Sequence, residues 1–215
     1  MLISYMTGKK KSYANNLRGF KDAKDNNWFA PEHNLVNKFT VLYSGNMGLC
    51  HDMDTILETA KLLRDEPIQF VCISIGAKRQ SFLEEVNDLG LTKFSVSVLL
   101  RKKVLPYYLT DCNLSLVTVE AGMESLVAPS KLHPALAAGR PIAVICSKYS
   151  YLRKMMIDGK CGVSVENGDS MIQTKSIRLL NSDRKLAELM NKASRKYLQS
   201  NFTQPIIASQ YFCVV

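Results

Sequence analysis

From Phe39 onward, short unbroken apolar runs alternate with longer stretches in which apolar positions recur every three or four residues. A continuous apolar run of four to eight residues suits a strand buried on both faces, and a period near 3.6 suits a helix lying against such a sheet. The pattern predicts strands at Phe39–Tyr43, Ile68–Ser74, Phe94–Leu99, Asn113–Val119, Pro141–Cys146 and Gly162–Glu166. Helices are expected between them at about Asp52–Arg64, Arg79–Asp88, Val104–Thr110, Ser130–Ala138 and Tyr149–Asp158. Three further helical stretches follow without a strand signal, at Ser170–Leu180, Asp183–Ser200 and Gln204–Phe212. Strands separated by helices point to β-α units and a parallel sheet. The expected class is an open α/β domain over residues 38–215 with a helical C-terminal tail.

Residues 1–37 break the pattern. They are polar, Asn-rich and basic, with Trp28 and Phe29 as the main anchors ahead of Pro31, and they read as a linker or the remnant of a preceding domain. Six Lys or Arg stand against two Asp in residues 1–30, which contributes to the net charge of +9. Such an excess fits a solvated face, a phosphorylated ligand or peripheral contact with an anionic membrane. Nucleic acid is not expected, because basic and aromatic residues are nowhere interleaved on one strand face or helix. The longest apolar runs, such as "FVCISI" and "PIAVIC", fall well short of the ~20 residues a membrane span needs. With no leader-like start and no prenylation signal in "FCVV", the expected location is cytoplasmic, with the inner membrane face as a peripheral site. The six cysteines are scattered without a C-x-x-C pair and read as reduced core residues, and the three histidines have no ligand-spaced partner, so no metal is expected.

Open parallel sheets bind ligands outside the carboxyl ends of their strands, which directs attention to the β-to-α turns. In "VLYSGNMGLCHDMDTILETAKLL", Gly45, Asn46 and Gly48 directly follow a strand, so the backbone and the next helix start can approach an anion. The same glycines also suit a plain tight turn. "DMD" at Asp52–Asp54 fits helix-start chemistry better than a D-x-D metal motif. In "SIGAKRQ", Lys78 and Arg79 follow a strand and a glycine, either as phosphate partners or as solvated charges. In "VEAGMESLVAPSKLHPALAAGRPI", Gly122 lies in a loop flanked by Glu120 and Glu124, the carboxylates being candidate acceptors for sugar or ribose hydroxyls. Ser130 and Lys131 open the helix after that loop, Ser130 either gripping a diphosphate or serving as an ordinary N-cap. "ENGDS" at Glu166–Ser170 reads as a plain turn with Asp169 as N-cap.

The blocks "SGNMG..HD..TILE.AKLL", "GAKR" and "EAGMESLVAPSKL..ALAAGRPI" together resemble the carboxyl-terminal half of family-four, or group-one, glycosyltransferases, in the branch of bacterial exopolysaccharide and O-antigen enzymes. The likeness covers roughly Asn26 to Val215. It implies a GT-B enzyme, of which this chain would be the second Rossmann-like domain, binding a nucleotide-diphosphate sugar as substrate without other cofactors. Transfer would retain anomeric configuration and move a hexose to a saccharide or lipid-linked acceptor. The resemblance assigns donor binding to Gly45, Asn46, Gly48, Lys78, Arg79, Glu120, Gly122, Glu124, Ser130 and Lys131, and names no protein nucleophile. This sequence departs from the family at Leu126 and Pro134, where two glutamates are common, at Leu49, where a basic residue is common, and at Ser74-Ile75, where glycines are common. An acceptor domain of similar size would normally precede this one, so a separate chain supplying it is an expected partner, and the chain alone is expected to be inactive. The alternative is a non-catalytic module that binds a nucleotide-sugar or a protein.

Overall fold

The computed structural model describes residue 20, residues 27–98 and residues 103–212, with side chains described to residue 209. The expected strands form one six-stranded sheet, parallel throughout, in the order β3-β2-β1-β4-β5-β6. Its strands are β1 (Phe39–Asn46), β2 (Ile68–Ile75), β3 (Phe94–Ser97), β4 (Leu114–Thr118), β5 (Ile142–Ile145) and β6 (Gly162–Val165). The helices are α1 (Phe29–Glu32), α2 (Asp54–Leu62), α3 (Arg79–Asp88), α4 (Leu105–Asp111), α5 (Leu132–Ala138), α6 (Tyr151–Gly159), α7 (Ser170–Ser182), α8 (Arg184–Asn201) and α9 (Gln204–Phe212). This is a Rossmann-like α/β fold.

Strand alternation divides the interior into two apolar layers. Val41, Tyr43, Phe70, Cys72, Leu114, Leu116 and Ile145 point to one side, where Ile56 and Leu57 of α2, Phe82 of α3 and Ile177 and Leu180 of α7 cover them. Leu42, Val71, Ile73, Val117 and Val144 point to the other, beneath Tyr108 of α4, Leu136 of α5, Leu152 and Met156 of α6 and Leu198 of α8. Every residue of β4 and β5 is buried, which is why both read as unbroken apolar runs. The piece before β1 joins the second layer. Phe29 and Leu35 are buried in it, and the Trp28 ring lies 5.3 Å from that of Tyr107.

Strand β1 runs three residues past its expected end, because Ser44–Asn46 stay in register with Ile73–Ile75 despite their polarity. Strand β3 stops at Ser97; its expected end at Leu99 lies outside the described residues, as do Cys213 and most of residues 1–26. The neighbours β1 and β4 pair only over Val41–Tyr43 and Leu114–Leu116. Their chains leave the sheet toward opposite faces, α2 on one side and α5 on the other, which makes their carboxyl ends the switch point where sheets of this kind form a ligand crevice. No helix among the described residues is long and apolar enough to cross a membrane.

Candidate functional site

Three β-to-α turns converge at that crevice. After β1 the chain turns through Gly45, whose φ of 125° belongs to glycine, and after β2 through Gly76 at 124°. The two turns are bonded together: Met47 N–H donates to Ile75 O at 2.6 Å, and Lys78 N–H to Met47 O at 3.0 Å. A Cβ at Gly76 would lie 2.6 Å from the Met47 carbonyl oxygen, so this glycine is required by the fit of one turn on the other. The approach to Gly45 is by a side chain. A Cβ there would meet Lys131 Cε at 3.0 Å.

Lys131 reaches across from the start of α5. Its Nζ donates to the Tyr43 hydroxyl at 2.9 Å and to Asn46 O at 2.8 Å, and lies 2.8 Å from His51 Nε2. The same ammonium sits 4.5 Å from the centre of the Tyr43 ring. Tyr43 in turn donates its hydroxyl proton to Asn46 O at 2.9 Å, and burial holds its pKa well above the ordinary phenol value. Lys131 has no carboxylate partner among the described residues, and burial pulls its pKa down to about 7. An ammonium held only by neutral acceptors in a desolvated setting is a site that an incoming anion would stabilise.

Lys78 is placed differently. Its Nζ donates to His51 O at 2.8 Å and pairs with Glu120 at 3.2 Å. Glu120 is anchored to the same turn through its N–H, which donates to Cys50 O at 2.8 Å. Glu124 accepts from Ser147 N–H at 3.1 Å, tying its loop to the end of β5. Burial acts to raise the Glu124 pKa, but hydrogen bonds from Ser147 and from the backbone of Glu124 and Gly122 outweigh it, leaving the carboxylate below its ordinary value. Gly122 has a φ of 83° and open space where a Cβ would stand.

The candidate residues are thus only partly gathered. Gly45, Asn46, Gly48, Lys78, Glu120 and Lys131 form one connected group. Arg79 is the first residue of α3, its Nε buried without a partner and in no described contact with Lys131 or Glu120. Ser130 is exposed and does not cap α5: the helix begins at Leu132, and Lys131 holds the N-cap position without a side-chain bond to the backbone. Asp52 behaves as helix-start chemistry requires. It accepts from Thr55 N–H at 2.9 Å and the Thr55 hydroxyl at 2.6 Å, so a carboxylate already fills the anion position at the start of α2. Among the described residues no group of three or more His, Cys, Asp or Glu is arranged to hold a metal.

Two participants were not singled out from the sequence. His51 is buried, and burial with the cations of Lys131 and Lys78 lowers its pKa to about 4, against a backbone hydrogen bond to the Gly48 carbonyl that acts the other way. Asn167, in the turn read as plain, donates to Asp52 at 2.8 Å and to Val119 O at 2.9 Å, clamping the β6–α7 turn across the crevice floor. For His51 the sequence offered only its place next to the glycine turn. For Asn167 it offered only turn chemistry. A cavity of about 480 Å³ lies at the other end of the sheet, among Asn37, Asn113, Arg140 and Arg184, and none of the candidate residues lines it.

Comparison with known proteins bears on the family and the fold. The model of the glycosyl transferases group 1 family matches residues 25–197. WcaI of Escherichia coli K12, described as a colanic acid biosynthesis glycosyl transferase, is 26% identical over 178 residues, covering 81% of this chain and 42% of WcaI. Among solved structures, HepE of Anabaena in complex with UDP and glucose superimposes with a TM-score of 0.74 at 13% identity, over 92% of this chain and 54% of HepE. The C-terminal domain of LpcC, a group 1 family protein of Francisella tularensis, gives 0.65 at 16% identity over 84% of this chain and 94% of that domain. The chain therefore spans less than half the length of the curated relative and nearly all of an isolated C-terminal domain. By its family match over most of its length, this chain is a member of the glycosyl transferases group 1 family.

Proposed function

We propose that residues 38–215 form the donor-binding half of a retaining glycosyltransferase, taking a nucleotide-diphosphate sugar and delivering a hexose to a saccharide or lipid-linked acceptor. The observation that carries this reading is the Lys131 ammonium, without a carboxylate partner among the described residues, held over the Gly45–Gly48 turn at the β1/β4 crevice. Breaking the sugar-phosphate bond develops negative charge on the leaving diphosphate. A preorganised cation at that place stabilises the transition state more than the ground state. Lys78, with Glu120 beside it, would supply a second cation and a hydroxyl acceptor at the edge of the same crevice.

The outer rim of the crevice supports a two-domain enzyme. Leu49, Ile75, Leu126 and Tyr149, at the end of β2 and in the loops that follow β1, β4 and β5, are large, apolar and exposed, Tyr149 by 86%. Apolar groups collected around a ligand crevice mark a surface that another body covers. An acceptor domain closing on this rim, in the same or a separate chain, would complete the site, and the protein would work peripherally at an anionic membrane on its cytoplasmic side. A non-catalytic nucleotide-sugar module is the second reading, favoured by one feature: Leu126 and Pro134 stand where the family resemblance leads to an expectation of glutamates, and Leu126 is 77% exposed.

Isothermal titration of the chain with UDP, UDP-glucose and GDP-mannose, repeated with Lys131→Ala, tests the donor site. Saturable binding of one nucleotide, lost in the variant, is expected. A folded chain that binds none of the three, or a variant that binds as well as the parent, would remove the assignment. Sugar transfer on adding an acceptor domain then separates the enzyme from the non-catalytic module.

A further inference from the structure

The amino ends of the strands carry a second polar recess, at the opposite end of the sheet from the crevice. Its volume of about 480 Å³ falls in the range of small-molecule sites, roughly 300–1,000 Å³. Asn37 and Lys38 lead into β1 there, Asn113 into β4 and Arg140 into β5, while Leu180 lies in the last turn of α7 and Arg184 and Glu188 at the start of α8. Phe39 and Leu180, 7% and 2% exposed, are its apolar part. Three cations, Lys38, Arg140 and Arg184, line it together with one carboxylate, Glu188. Arg140 is partly engaged: its guanidinium donates to Thr110 O and acts on the Asp111 carboxylate nearby. The Lys38 and Arg184 side chains have no hydrogen bond or ion pair among the described residues. Like charges gathered around a concave surface focus a positive potential, which a single carboxylate offsets only in part.

The amides of the recess complement the cations. Asn113 accepts from Thr40 N–H at 2.8 Å through Oδ1, so its Nδ2 hydrogens are left for a ligand oxygen. Asn191, turned so that its nitrogen donates to Gly139 O at 3.2 Å and Ala187 O at 3.3 Å, keeps its carbonyl oxygen as an acceptor. Guanidinium and ammonium groups suit an oxyanion, whereas amides and a carboxylate suit hydroxyl groups. We propose that this recess is a second ligand site, taking a small phosphorylated polyol: the phosphate lies among Lys38, Arg140 and Arg184, and the hydroxyl groups meet Asn113, Asn191 and Glu188. The site goes beyond the donor crevice and does not rest on that reading. Two sources present this chemistry, a free phosphorylated polyol and the headgroup of an anionic phospholipid.

Glycerol phosphate is the probe, titrated into the full chain while amide spectra record where it acts. Saturable shifts at Asn37, Lys38, Asn113 and Arg184, and none at Gly45 or Gly48, are expected with a Kd below about 10 mM. The double variant Lys38→Gln, Arg184→Gln changes two exposed positions and should weaken binding about tenfold or more. Glu188→Gln removes the one negative wall and should tighten binding about threefold, an effect that a merely structural role would not produce. Shifts confined to the crevice, no saturation, equal binding of unphosphorylated glycerol, or variants that bind as the parent does would each overturn the proposal, whichever nucleotide the crevice takes. Sedimentation with vesicles of phosphatidylglycerol and phosphatidylcholine, against phosphatidylcholine alone, separates the sources. Capture that glycerol phosphate displaces and the double variant loses supports a headgroup. Soluble binding without capture supports a free phosphorylated polyol.

Discussion

The two lysines of the crevice occupy contrasting settings. Lys78 is paired with Glu120, its charge already balanced. Lys131 is surrounded by a phenol, a carbonyl and an imidazole, none of them negative. Both sit at helix starts and both lie within reach of His51, yet Lys131 is the one whose ammonium burial disfavours with no carboxylate beside it among the described residues. A cation with its counter-ion in place has less to gain from a phosphate than one without. On the proposed donor-site reading, the contrast would make Lys131 the electrostatic centre of the site and Lys78 its edge.

That ranking can be broken by substitution. Gly76→Ala should have the largest effect, because strain at φ 124° adds to the clash with the Met47 backbone. A loss of about 3 kcal/mol in denaturant-measured stability is expected, and a loss under about 1 would mean that the two turns are not locked together. Lys131→Met should weaken UDP binding by about thirtyfold or more, the worth of a desolvated charge-assisted contact, whereas Lys78→Met should cost only about threefold. Comparable losses in the two variants would erase the distinction.

Proton linkage sharpens the comparison. The Lys131 pKa is lowered on folding, from 10.5 to about 7, so between those values the unfolded chain binds the extra proton and stability rises with pH. The same sign holds for His51, lowered from 6.5 to about 4: stability falls as pH drops through that window and is level below it. Lys131→Met should therefore be more stable than the parent at pH 7, by about 1–2 kcal/mol after allowing for partial exposure, with the gain shrinking toward pH 10. A diphosphate would restore the ammonium, so UDP binding at pH 8–9 should take up a fraction of a proton, seen as buffer-dependent heat. Heat independent of the buffer would place the anion away from Lys131. The smallest effect is expected for Asn167→Ala, which loses the clamp to Asp52 at about 1 kcal/mol and leaves nucleotide affinity within about twofold.

Much of this architecture is legible along the chain, because a parallel sheet covered on both faces writes its strands as unbroken apolar runs. "LSLVT" and "IAVI" are buried at every position, and "SKLHPALAAG" ends its helix where Gly139 takes the left-handed conformation at φ 65°. The end of β1 is less legible, since Ser44, Gly45 and Asn46 have no strand propensity and are held by their partners on β2. The start of α5 misleads for a similar reason. Ser130 has the chemistry of a cap, yet it points into solvent while Lys131 takes the position. Lys131 and the glycine turn can be chosen from residue type and place in a β-α unit. The pairing of His51 with Lys131 spans 80 residues of chain and leaves no mark in spacing or period.

The junction between β1 and β4 has a kinetic side. The β1-α2-β2-α3-β3 segment and the β4-α5-β5-α6-β6 segment are each built from contacts local in sequence, and in the sheet they meet along one short seam. Local units tend to form early and distant pairings late, so this seam is expected to be the slow closure in folding and an early place for sub-global opening. Lys131, rooted in one segment and bonded to the β1 turn of the other, spans it. Occupancy of the crevice would then act as a staple between two half-folds, slowing amide exchange along Val41–Tyr43 and Leu114–Leu116 more than anywhere else in the sheet.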